Sequence, residues 1–183
     1  ALSLSLLRGG LHGARWIDVE NYHITLRFIG DIDAPTADEL VHALDRIGRH
    51  TFNLSLIGLG SFGSKKPHSL WAGVSASPDL MALQAEIERI CQRLHLRPDP
   101  RKFTPHVTLA RLRGARVHDV VQYLGARSNF RTDPFTVSRF VVMSARESVG
   151  GGPYVTEEIY PLTQAKPSRQ PLEAMPKSSS NSR

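Results

Sequence analysis

Two segments of the chain share one pattern of polar and apolar positions. They are residues 21–31, NYHITLRFIGD, and residues 103–112, FTPHVTLARL. Because successive side chains of a strand point to opposite faces, His23 and Thr25 share one face, and aliphatic residues occupy the other. The same period puts His106 and Thr108 together. The pattern therefore predicts two strands, the first at Tyr22–Ile29, each with an imidazole and a hydroxyl on one face.

The other segments complete the predicted order of elements. Apolar residues recur at helical spacing after the capping residues Asp33 and Ser77, and again in residues 117–124. Further strands are predicted at residues 52–59, 70–74, 135–144 and 154–162, with a hairpin loop at 147–152 before the last of them. A strand, a helix and a strand pair thus occur twice. This order predicts an α+β fold of two similar lobes, each an antiparallel sheet with helices on the outside.

Composition limits the class of protein. The 183 residues are enough for one compact domain, which we assign to residues 1–162. The tail 163–183 is poor in aliphatic residues and is predicted to be disordered. The lone Cys91 cannot form an intrachain disulfide, and we expect it in the core. No apolar run is long enough for a membrane span, and the start LSLSLL lacks the basic segment of a signal peptide, so a cytoplasmic protein is expected.

The charge balance is basic. Lys and Arg number 23 against 17 Asp and Glu, and the isoelectric point is near 9.9. Such an excess favours an anionic partner such as RNA, but a solvated basic surface without a partner explains the charge equally well. Charge alone therefore leaves the partner open.

The duplicated pattern suits attack on a phosphodiester without a metal. A neutral imidazole takes a proton from the nucleophile, a protonated imidazole gives one to the leaving oxygen, and hydroxyls donate to the non-bridging oxygens. Histidine serves both roles because its ordinary pKa of about 6.5 leaves both protonation states accessible near neutrality. One His-x-Thr in a strand is commonly structural, whereas two copies, each followed by Leu, indicate one shared site.

Three segments match one family in order and spacing. They are GARWIDVENYHITLRFIGD, GLGSFGSKKPHSLWAGV and TPHVTLARLRG. On these segments the chain resembles the 2H phosphoesterase superfamily, and within it the RNA 2',3'-cyclic phosphodiesterases, also called 2'-5' RNA ligases. The resemblance runs from about Leu6 to about Leu162 and implies a bilobal fold in which one His-x-Thr strand from each lobe faces a central groove. The family opens with a strand and a helix before the GARW segment, and here that start is truncated or diverged.

The resemblance implies a role for each motif residue. His106 is the expected proton acceptor for water and His23 the expected proton donor for the leaving 3'-oxygen, with Thr25 and Thr108 binding the phosphate and no cofactor or metal required. In the family, the arginine at the position that matches Arg111 also contacts the phosphate, so the resemblance implies the same role for Arg111. Its odd spacing from His106 puts it on the opposite strand face unless a bulge re-aims it. The implied activity is hydrolysis of RNA 2',3'-cyclic phosphate ends to 2'-phosphate ends, with weak 2'-5' ligation.

A basic loop between two predicted strands is a further candidate for RNA contact. Lys65, Lys66 and His68 lie in this loop, which either reaches a nucleic-acid backbone or is a solvated turn. Two other functions stay open: an RNA- or nucleotide-binding module without turnover, and a phosphodiesterase for cyclic nucleotides or 2'-5' oligonucleotides. The expected partners are RNA ends or small cyclic-phosphate nucleotides, with no membrane and no obligate protein partner.

Overall fold

The computed structural model describes residues 2–145 and 154–164 and has the predicted α+β architecture. Its helices are α1 Leu2–Ser5, α2 Ala34–Leu44, α3 Pro78–Arg93 and α4 Val117–Gly125. Its strands are β1 Ala14–Trp16, β2 Phe52–Leu54, β3 Leu56–Phe62, β4 Ser69–Val74, β5 His106–Leu112, β6 Phe135–Val137, β7 Arg139–Ala145 and β8 Tyr154–Pro161. The predicted hairpin loop at 147–152 and the predicted tail beyond Gln164 lie outside the described residues. Thr163 still forms backbone hydrogen bonds with Arg49 and Thr51.

The named strands pair antiparallel in three sheets. The largest has the order β1-β5-β4-β3, while β2 pairs with β6 and β7 with β8. The strand predicted at 52–59 is divided, because the chain changes sheet at Ser55. Phe52 and Leu54 face one core and Leu56 faces the other, so a continuous strand would leave one of these sets outside its core. The strand predicted at 135–144 is divided in the same way at Ser138.

Buried apolar side chains form two cores. The first gathers α2, α3, β2 and residues of β7 and β8. The second lies between the largest sheet and α4 and includes the leucines at positions 4, 7 and 11. Each fully buried leucine contributes roughly 1.5–3 kcal/mol. The two lobes therefore interleave along the chain rather than forming consecutive halves, and Ile24 and Val74 pack against both cores.

Both predicted helix starts are confirmed. The Asp33 side chain accepts a hydrogen bond from the Thr36 amide at 2.9 Å, which also lowers the pKa of that carboxyl. The Ser77 hydroxyl accepts from the Leu80 amide at 3.2 Å. Cys91 is buried in α3 as predicted, and burial raises the pKa of its thiol. Within the described part of the chain, no helix has the length and apolar character needed to cross a bilayer.

The first motif segment is not the strand predicted at Tyr22–Ile29. Within it only Ile24 pairs, in an isolated antiparallel bridge to Val107 of β5. The apolar half of the alternation is still used, since Ile24 and Leu26 pack against the core of α2 and α3, and Ile29 packs there as well. The prediction was wrong because a period of two requires one buried face but does not require a partner strand along its whole length. The second motif is confirmed as β5.

Candidate active site

The first His-x-Thr motif lies beside β5, which carries the second, and the histidines and threonines of both motifs point to the same face. Ile24 and Val107 form an antiparallel bridge, and that register sets each motif histidine level with the threonine of the other motif. Both bridge residues pack into the cores, so the flanking histidines and threonines point to the opposite face. His23, Thr25, His106 and Thr108 therefore form a group of four side chains, in which the two histidines lie diagonally across from each other.

Both motif rings make the same hydrogen bond. Nδ1 of His23 donates to the carbonyl oxygen of Asn21 at 2.8 Å, and Nδ1 of His106 donates to that of Thr104 at 2.7 Å. A carbonyl oxygen only accepts, so the hydrogen lies on Nδ1 of each ring. Among the described residues, no partner binds Nε2 of either ring. Each ring thus accepts a proton at Nε2 when neutral and donates one from Nε2 when charged.

Aromatic rings hold the imidazoles from the side. Phe62 meets His106 edge-on with ring centroids 5.0 Å apart, and Trp71 lies 6.0 Å from the same ring. Tyr154 meets His23 edge-on at 5.2 Å. Such contacts limit how far each imidazole can turn about its Nδ1 bond.

The position of Trp71 depends on a glycine in the neighbouring strand. A Cβ atom on Gly60 would lie 2.2 Å from the Trp71 ring, so the ring occupies the space that any other residue would fill. The indole nitrogen of Trp71 is buried and has no hydrogen-bond partner among the described residues. The ring is therefore held beside His106 by packing.

A bulge in β5 brings Arg111 to the face of the motifs. Ser69 pairs with Arg111, and Trp71, two residues further along β4, pairs with Thr108, so Leu109 is the extra residue of β5. Because Ser69 and Trp71 share a face of β4, their partners share a face of β5. The bulge that Arg111 needed in order to share a face with His106 is therefore present, and the Arg111 side chain is exposed on the face of the histidines.

The predicted basic loop joins β3 to β4 beside the site. Lys65, Lys66 and His68 are exposed. The His68 ring stacks on Phe62 with centroids 6.3 Å apart, and Phe62 in turn touches His106. The loop thus adjoins the candidate site, and its contact with RNA stays a prediction.

A buried arginine that sequence reasoning missed supports the first motif. Nε of Arg27 donates to Glu88 of α3 at 2.5 Å, and the two side chains are only 5% and 19% exposed. Its terminal nitrogens donate to the carbonyl oxygens of Phe28 and Arg97. No local signal marks this role, since the two ion-pair partners are 61 residues apart in the chain.

Among the described residues, the site contains neither a charged phenol nor a metal-binding cluster. Burial raises the pKa of Tyr22, next to His23, so its phenol stays neutral near pH 7. Within residues 2–145 and 154–164, no three His, Cys, Asp or Glu side chains gather as a metal site would require. Two cavities of about 210 and 200 Å³ contain no motif residue: residues 48–52 and Asp79 line one, Leu7 and residues 126–130 the other.

Comparison with known proteins gives one family. The model of the 2'-5' RNA ligase superfamily matches residues 9–148. A protein of Aeropyrum pernix named RNA 2',3'-cyclic phosphodiesterase is 41% identical over 102 residues, which cover 55% of this chain and 58% of that protein. A protein of Aquifex aeolicus with the same name is 32% identical over 155 residues, which cover 80% and 81%. The chain spans little more than half the length of the first of these relatives.

A solved structure shares the fold. The crystal structure of E. coli LigT complexed with 3'-AMP superimposes with a TM-score of 0.67 at 24% identity, covering 83% of each chain. The predicted fold class is therefore confirmed.

Proposed function

Because the chain belongs to the 2'-5' RNA ligase superfamily, we propose that it hydrolyses RNA 2',3'-cyclic phosphate ends to 2'-phosphate ends. The observation that carries this proposal is the pair of histidines on one sheet face, each with Nδ1 on a carbonyl oxygen and Nε2 without a partner among the described residues. The names of the relatives support the same reaction. Its substrates are RNA ends or small cyclic-phosphate nucleotides, and the cytoplasm stays the predicted location.

The reaction needs one proton accepted and one donated. Water attacks phosphorus and loses a proton to Nε2 of His106, and the bond to the 3'-oxygen breaks as Nε2 of His23 protonates that oxygen. The 2'-oxygen keeps the phosphate. A 5'-hydroxyl in place of water gives a 2'-5' linkage, which is the proposed weak ligation.

Three other side chains stabilise the charge on the phosphate. The hydroxyls of Thr25 and Thr108 donate to the non-bridging oxygens, where negative charge must be held in the transition state. Arg111 adds a guanidinium, whose hydrogen bonds to a phosphate are charge-assisted. All three lie on the face of the histidines, which is the placement that this role requires.

An RNA oligonucleotide ending in a 2',3'-cyclic phosphate tests the proposal. Incubated with the protein and a chelator, it should give a 2'-phosphate end, separable from the 3'-phosphate by chromatography. His23→Ala and His106→Ala should each lower kcat/KM by about 10²–10⁴-fold, the usual loss of a general acid or base. His42→Ala is the matched control, because His42 also donates from Nδ1 to a backbone carbonyl, at 2.7 Å, but lies on α2.

Three outcomes would contradict the proposal. Full hydrolysis by either motif variant removes the histidines from the mechanism. Saturable binding of RNA with no product after long incubation supports the binding-module alternative. Turnover of cyclic nucleotides or 2'-5' oligonucleotides, with RNA ends left intact, supports the other phosphodiesterase activity.

A further inference from the structure

A row of side chains crosses the largest sheet beyond the motif threonines. Arg15 of β1 pairs with Arg111 of β5, Arg111 with Ser69 of β4, and Ser69 with Phe62 of β3. Directly opposed residues of antiparallel strands share a face, and Phe62 touches His106, so the row lies on the face of the motifs. We call Arg15 and Arg111 the arginine rung. The rung adds the guanidinium of Arg15, which belongs to neither motif, to the candidate active face.

The arginine rung places two positive charges opposite each other. Ala14 and Trp16 pack into the core beneath the sheet, so Arg15 between them faces outward and is exposed. Like charges directly opposite each other destabilise a strand pair. Among the described residues neither arginine of the rung has an ion pair, and the nearby Asp18 pairs with Arg8 at 3.4 Å. An anion from outside the protein would relieve this repulsion.

The surroundings of the rung are basic as well. Phe62 ends β3 and Ser69 begins β4, so the loop with Lys65 and Lys66 starts and ends at this row. The segments 13–16, 63–68 and 111–114, which meet at this end of the sheet, contain five Lys and Arg and no Asp or Glu. The local charge therefore attracts an anion to this end of the active face.

The rung is set back from the histidines along the strands. Gly73 and Ser69, the partners of His106 and Arg111, are four residues apart on β4, which is about 13 Å of strand. His23 is level with Thr108, whose partner Trp71 is two residues from Ser69, or about 7 Å of strand. A phosphate between the histidines and an anion level with Arg15 are therefore separate groups. An RNA end supplies such a second group, because a phosphodiester joins the terminal nucleotide to the rest of the chain.

We propose that Arg15 binds the phosphodiester that joins the terminal nucleotide to the rest of the RNA, while Arg111 beside it keeps its proposed contact with the reacting phosphate. This inference rests on the proposed function. The planar guanidinium offers two parallel donors to a phosphate, which makes arginine well suited to this contact. The site thereby favours an oligonucleotide over a mononucleoside 2',3'-cyclic phosphate, which lacks that phosphodiester.

The test compares two substrates and two variants. The substrates are a mononucleoside 2',3'-cyclic phosphate and a dinucleotide ending in the same group. Arg15→Gln should lower kcat/KM for the dinucleotide about tenfold more than for the mononucleoside, as expected for the loss of a charged hydrogen bond. Arg116→Gln is the control: Arg116 is also exposed, but it precedes α4, which packs on the other side of the sheet, and its replacement should change neither value.

A third substrate removes the charge from the RNA instead of the protein. In a dinucleotide with an uncharged methylphosphonate linkage, Arg15→Gln should cost no more than it costs with the mononucleoside. Equal losses on all substrates, or no loss on the charged dinucleotide, overturn the inference. If the unmodified protein hydrolyses none of them, the proposed function itself fails.

Discussion

The two His-x-Thr-Leu segments have nearly the same sequence but are held in place by different means. The second is part of β5, which lies between β1 and β4 and shares backbone hydrogen bonds with both. The first has one bridge, at Ile24, and depends on side chains: the buried Arg27–Glu88 ion pair and the aliphatic anchors in the core. The bond from Nδ1 to the carbonyl two residues earlier is nonetheless the same in both.

This difference separates what orients an imidazole from what anchors its backbone. The orienting bond is local and uses a backbone carbonyl, so both copies form it although the two residues before the histidine differ. The anchoring comes from distant parts of the chain and differs between the copies. The first motif should therefore be sensitive to α3, and the second to the packing of the sheet.

The largest effect should come from the histidines, where the proposed roles make the motifs unequal. On the proposed mechanism the rate falls in acid, where the acceptor is protonated, and in alkali, where the donor has lost its proton. Each histidine variant should lose about 10²–10⁴-fold in rate. In the remaining activity, His106→Ala should no longer show the decrease in rate at low pH, and His23→Ala should no longer show the decrease at high pH. Profiles of kcat/KM against pH check this, and the opposite pattern would exchange the two roles.

Next in size should be the loss of the ion pair behind the first motif. Glu88→Ala leaves the Arg27 guanidinium buried without its partner, which should lower the free energy of unfolding by about 3–5 kcal/mol. Glu86→Ala is a close control on the same helix. Its ion pair with Arg49, at 2.6 Å, has side chains 30% exposed, so about 1 kcal/mol or less is expected.

Urea unfolding followed by circular dichroism measures both changes. Under conditions in which both variants are folded, Glu88→Ala should also lower kcat/KM, while Glu86→Ala should not. Equal effects of the two substitutions would show that the first motif does not depend on the buried pair.

The smallest effect should come from crowding the second motif. Gly60→Ala forces the Trp71 ring away from β3, since the new Cβ would lie 2.2 Å from it, and overpacking of this kind costs roughly 1–3 kcal/mol. Gly48→Ala, with open space around the new Cβ, is the control. We expect a lower melting temperature and altered tryptophan fluorescence for the Gly60 variant alone. An unchanged spectrum would mean that Trp71 does not need the glycine.

Features encoded within a few residues could be predicted from the sequence. The helix starts at Asp33 and Ser77 follow from one side chain and the amide three residues later, and the structure contains both bonds. The motif strand β5 was also predicted from its period of two, and it forms because it has a partner strand on each side. The family resemblance rested on segments of the same kind.

Features that depend on register could not be predicted. The bulge at Leu109 decides the face of Arg111, and the position of Arg15 follows only from its pairing with β5. Shifting a strand by one residue turns every side chain to the other face, and no local pattern encodes that choice for a short strand such as β1. The contact between Arg27 and Glu88 is likewise invisible until the chain is folded.

The exposure of the two imidazoles determines how the protein would prepare for a second round of reaction. On the proposed mechanism, one hydrolysis leaves the acceptor ring with an added hydrogen ion and the donor ring without one, so the pair is left in the wrong state. Both rings are half-buried rather than enclosed, and surrounding water and buffer can exchange with each directly. Recovery of the starting state therefore requires no internal relay of acidic side chains between the rings.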